Sequence, residues 1–126
     1  MKESNIRNKS FGFAVRVVKL YQYLIAEKKE FVLSKQLLRS GTSVGAMVRE
    51  AEHSESKADF IHKMAIAQKE INESIYWLEL MYETEFLNKS EFESLNNDAV
   101  ELIKILTTII KSTKQNLTTN HKRLTI

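Results

Sequence analysis

Apolar side chains return every three or four positions along most of this chain. From Phe11 to about Glu27 the series Phe13, Val17, Leu20, Tyr21 and Leu24, flanked by Ala14, Val18 and Ile25, lines one side of a helix. The charged stretch "AEKKEF" breaks the pattern, and Ser34 stands where a hydroxyl would cap a second helix over 34–54. On that helix Leu37, Gly41, Val44, Val48 and Ala51 stay within about 40° of one line, while Lys35, Arg39, Thr42 and Arg49 fall roughly opposite. A third helix over 56–85 opens on Ser56 with Asp59 as a capping box, and its stripe runs Phe60, Met64, Ala67, Ile71, Ile75, Leu78, Met81. Ile61, Ala65, Ile66 and Trp77 widen the stripe, which predicts neighbours on two sides. Ser90 with Glu93 gives a second capping box for a helix over 90–118, carried by Phe92, Leu95, Ala99, Leu102, Leu106, Ile109 and Ile110. Residues 119–126, "TNHKRLTI", read as a basic tail.

Four such helices on short connections predict an all-α fold, an antiparallel up-down-up-down four-helix bundle formed by one domain over 1–126. Composition agrees: there is no proline and there are three glycines among 126 residues, as few turns and long helices require. The chain has no cysteine, which excludes disulfides, thiolate metal sites and cysteine nucleophiles. No apolar run reaches the roughly 18 residues of a membrane span, and the start "MKESNIRNKSFGF" lacks the apolar centre of a signal peptide. A cytoplasmic protein with no membrane partner is expected.

The net charge of +3 hides an uneven distribution. Residues 1–49 carry ten Lys/Arg against three acids, residues 50–101 four against thirteen, and residues 102–126 five against none. The basic blocks predict either an anion-binding face or helices that attract the acidic third helix. Candidate nucleic-acid contacts are Arg16 and Lys19 on the first helix, Lys35, Arg39 and Arg49 on the second, and Lys104, Lys111, Lys114, Lys122 and Arg123 toward the end.

Other chemistries find less support. "RSGTSVGA" has neither the Gly-Lys-Ser/Thr ending of a phosphate loop nor the three glycines of a dinucleotide fold. Gly41 and Gly45 instead predict close helix packing, because missing side chains let backbones approach. On that reading leucine at either glycine overpacks the bundle, whereas reversing Arg39 and Arg49 spares the fold. Glu50 with His53 and Asp59 with His62 have the spacing of di-iron carboxylate-histidine pairs, but the first helix offers no acid between Phe11 and Ala26, so no metal is expected. No histidine stands beside an evident nucleophile, so neither an enzyme nor a cofactor is expected. Tyr76, Trp77 and Tyr82 crowd more aromatic area than one face can bury, which predicts helix packing together with a subunit interface.

The run from Gln36 to Met81, through "RSGTSVGA", "REAEHSESKADFI" and "YWLEL", resembles a bacterial family of four-helix-bundle proteins often encoded in intervening sequences of 23S ribosomal RNA genes. Met47 and Gln68 depart from its usual pattern. The resemblance implies an antiparallel bundle assembled as a homopentamer, without catalysis. It also points to the similar accessory variability determinants of diversity-generating retroelements, which bind nucleic acid and a reverse transcriptase. The leading expectation is therefore an oligomeric, non-enzymatic module that binds RNA or DNA, with a reverse transcriptase or a ribosomal component as further partner. The alternative is a protein-protein adaptor that docks through its acidic third helix and aromatics.

Overall fold

The computed structural model describes the backbone of residues 2–125 and the side chains of residues 5–116. The chain forms a four-helix bundle, and no strand occurs among the described residues. The helices are α1 (Lys2–Glu27), α2 (Leu33–Ala51), α3 (Lys57–Glu83) and α4 (Lys89–Thr125). Each packs on two others, in the cycle α1, α2, α3, α4 and back to α1, and among the described residues neither diagonal pair brings its backbones close. One cluster fills the centre, with Phe13, Leu24, Leu37, Met64, Ile71, Leu78, Leu102 and Leu106 almost wholly buried. Their spacing along each helix is the three-and-four repeat visible in the sequence.

The ends of the helices differ from the expected ones, for local reasons. α1 begins at Lys2 rather than Phe11, because Ile6 and Ser10 extend the buried series back from Phe13 at helical spacing. A lone isoleucine among polar neighbours gave too little periodicity to reveal this. Ser34 does not cap α2. The carboxylate of Glu30 does so, accepting from the amides of Val32 (3.1 Å), Leu33 (2.8 Å) and Ser34 (2.7 Å), while the Ser34 hydroxyl donates back to the Glu30 carbonyl. α2 ends at Ala51, short of residue 54.

At α3 the expected cap is present, the Ser56 hydroxyl accepting from the Asp59 amide, but the Asp59 carboxylate accepts from the Glu55 amide rather than from that of Ser56 as a full capping box would. The capping box of α4 lies two residues before the expected one, with Asn88 and Glu91 each accepting from the other's amide at 2.8 Å. Ser90 and Glu93 therefore sit inside the helix, which continues to Thr125 through most of the stretch read as a tail.

Gly41 and Gly45 are buried on α2, facing α1. A methyl at Gly41 would lie 2.9 Å from Val17, and one at Gly45 would lie 3.4 Å from the Ser10 backbone carbonyl. The seam between α2 and α3 is equally fine-grained, with Ser40 and Ser74 sharing a 2.8 Å hydrogen bond in full burial. The seam between α1 and α4 is different. It carries Lys9 on Glu101 and Arg16 on Asp98 and Ser94, all substantially exposed.

Candidate nucleic-acid interface

The ten candidate basic residues do not form one surface. Arg16 is turned onto α4, where its guanidinium grips Asp98 and the Ser94 side chain. Arg39 is turned onto α3, bridging Glu70 (3.0 Å) and Glu73. The bond to Glu73, followed by the charge of Glu70, raises the Arg39 pKa further above its already high value. Much of the positive excess of helices 1 and 2 is thus met inside the molecule, and reversing Arg39 would set a third carboxylate beside Glu70 and Glu73. Arg49 lies over the ring of Phe11, 4.9 Å from its centroid, in a cation-π contact.

The remaining described candidates are exposed and make no ion pair among the described residues: Lys19 on α1, Lys35 at the start of α2, and Lys104, Lys111 and Lys114 on α4. Lys104 and Lys111 are seven residues apart and so share one face of α4, with Lys114 one turn on. Beside Lys104 is a shallow cavity of about 260 Å³ lined by Asn5, Ile105 and Thr108. Asn5 was absent from the expected set, since only the extended α1 brings it here. The side chains of Lys122 and Arg123 lie outside the described residues.

The aromatic candidates separate as well. Tyr82 stacks on Phe92 at 4.8 Å, and Trp77 is half-buried, meeting Tyr76 edge-on and donating to Glu73. Tyr76 alone of the three stays open, at 57% exposure. Val18, expected to flank the buried stripe of α1, instead joins Phe11 and Val15, spaced i, i+4, i+7, on a second apolar face that points away from the core and is exposed. The signal was present, but the buried stripe on the same helix absorbed it. Gln68, anomalous for its stripe, donates to Thr107 of α4 at 2.8 Å.

Among the described residues no three His, Asp or Glu side chains converge on a point that could hold a metal ion. Asp59 is instead engaged by Lys63 and by the Glu55 amide, which hold its carboxyl below the usual range. No helix of the described residues is long and apolar enough to cross a membrane.

Fold and surface together define a small helical-bundle module with a cationic helix face and an open apolar one. The 23S rRNA-intervening sequence protein family model matches residues 2–108, and the chain belongs to that family. It is similar to a crystal structure described as a protein with unknown function from the S23 ribosomal protein family of Bacteroides thetaiotaomicron VPI-5482. The two share 56% identity over 88% of this chain and 99% of that one, with a TM-score of 0.87. No curated protein matches the chain.

Proposed function

We propose that this chain is a non-enzymatic, cytoplasmic, RNA-binding accessory module: one domain, an antiparallel up-down-up-down bundle, assembled as a homopentameric ring. The observation that carries the binding is the row Lys104, Lys111 and Lys114, exposed and unpaired among the described residues on a helix that has no acid after Glu101. Such a row contacts phosphates with little regard for base sequence, and a ring multiplies it. The family's name, which ties it to 23S rRNA, favours RNA over DNA.

Pairings along the seams support the helix directions. On α1 and α2 they run Arg7 to Glu52, Ser10 to Gly45 and Val17 to Gly41. The open face of Phe11, Val15 and Val18 supports self-assembly, since an exposed apolar stripe on a helix calls for a partner. A relationship to accessory variability determinants would add a reverse transcriptase as partner, and the ribosomal setting a ribosomal component.

Binding of labelled RNA across a salt series tests this reading. Affinity should fall steeply with salt, and Lys104→Glu with Lys111→Glu should flatten the log-log slope by about 0.7 per lost single-strand phosphate contact. Salt-independent binding, or none at low salt, refutes it. The adaptor reading rests on Tyr76, exposed on α3 near Glu79 and Glu83; protein capture abolished by Tyr76→Ala, with no RNA bound, would favour it.

A further inference from the structure

The turn between α1 and α2 holds two large apolar side chains out in solvent, Phe31 at 58% and Val32 at 70% exposure. They are held there firmly. The Glu30 carboxylate ties down three successive amides beneath them, and Lys29 takes the left-handed backbone conformation (φ 54°) that turns the chain. Lys28, Lys29 and Lys35 flank the pair, all exposed and none in an ion pair among the described residues. The tip is therefore apolar at its point and cationic at its base.

At the same end of the bundle, next to this tip, the α3–α4 turn opens a hollow of about 550 Å³. Tyr23 of α1 and Lys28 just beyond it border it with Tyr82, Phe86, Glu83, Glu85 and Glu91. Its lining is more polar than apolar, with Glu83, Glu85 and Glu91 beside the rings of Tyr23, Tyr82 and Phe86, so it complements the tip chiefly in charge. We infer that this end of the bundle docks on a second copy of itself: Phe31 and Val32 of each copy enter the hollow of the other against its tyrosine and phenylalanine rings, and Lys29 meets Glu83 and Glu85. A twofold axis makes both contacts at once, as an interface of one patch with itself requires.

Charge selects this occupant over others. Phosphate approaching the lysines would meet the carboxylates beside them, which disfavours nucleic acid here. An acidic protein would match the tip and be repelled by the hollow. A copy of the same chain matches both halves. The contact is distinct from the α1 face and the α4 lysines, so it would join whole assemblies end to end.

Sedimentation velocity of the full chain over a concentration series, at about 0.05 M and about 0.5 M salt, tests this. The parent should show a base species and one of twice its mass, the larger fading at high salt. Phe31→Ser with Val32→Ser should leave only the base species, as should Lys29→Glu or Glu83→Lys alone, and the double variant Lys29→Glu with Glu83→Lys should recover the doubled one. Circular dichroism checks that each variant is folded, and the charge variants leave the apolar tip intact. Absence of doubling in the parent, doubling that survives the serine variant, or failure of the charge swap to restore it overturns the proposal. The mass of the base species is read separately, so a base that is not a pentamer counts against the ring alone.

Discussion

At the scale of single residues, the three glycines of this chain have three different surroundings, and alanine substitution should separate them. A methyl at Gly12 meets open space, so Gly12→Ala should stabilise by about 0.5–1 kcal/mol through helix propensity. At Gly45 the methyl makes ordinary contact with the Ser10 carbonyl, and most of that gain should remain. At Gly41 it drives into Val17, a fully buried side chain stiff at its first torsion. There, overpacking of about 1–3 kcal/mol outweighs the roughly 1 kcal/mol of propensity, and Gly41→Ala should destabilise. Urea unfolding of the three variants checks the order; a Gly41→Ala as favourable as Gly12→Ala would refute the close approach.

Glu30 is the second informative residue. Burial pushes its carboxyl pKa up, but the amides of Ser34, Leu33 and Val32 together outweigh this and hold it below the ordinary value. A carboxyl depressed in the folded state stabilises the protein fully above its unfolded pKa and loses that contribution as pH falls through the folded one. Glu30→Gln should therefore cost about 1 kcal/mol at neutral pH, the size of a lost helix cap. The gap to the parent should close as pH drops through the acid range. A gap constant from neutral pH to acid would show that the charge contributes nothing.

At the scale of elements, the seams are built from different materials. Ser40 and Ser74 join α2 to α3 in full burial, so Ser40→Ala should cost about 1 kcal/mol regardless of salt, the Ser74 hydroxyl keeping its bond to the Glu70 carbonyl. Arg16 joins α1 to α4 in the open, so Arg16→Gln should cost at most about 1 kcal/mol, and less as salt rises. Urea unfolding at two salt concentrations distinguishes them. This contrast also explains what could be read from the sequence. Periodicity exposes a helix wherever several apolar residues recur, which gave all four, but it says little where one residue such as Ile6 carries the register. Caps were readable where the hydroxyl stands beside the helix, as at Ser56. They were missed where an acid reaches forward, as Glu30 does, or where an earlier asparagine competes, as Asn88 does. The fate of Arg16 was not readable at all, because Asp98 lies 82 residues away.

At the scale of the whole molecule, the uneven charge along the chain has two uses. The acids of α3 and early α4 take up Arg39 and Arg16, which steadies the bundle and withdraws both arginines from any phosphate. What remains outward includes Lys19, Lys35 and the lysine row of α4, and the RNA salt series probes that row. The composition revealed the excess, whereas only the three-dimensional pairing shows which part of it is available.

The contact between Gly41 and Val17 also restricts how such a chain can drift in sequence. Position 41 cannot grow unless position 17 shrinks with it, so relatives keeping this approach of α1 to α2 should change the two together or leave both alone. α2 is constrained in this way on both sides, by Val17 and Ser10 toward α1 and by Ser74 toward α3. The outward faces of α1 and α4 carry no such restriction, which leaves them the part of the molecule most open to acquiring new partners.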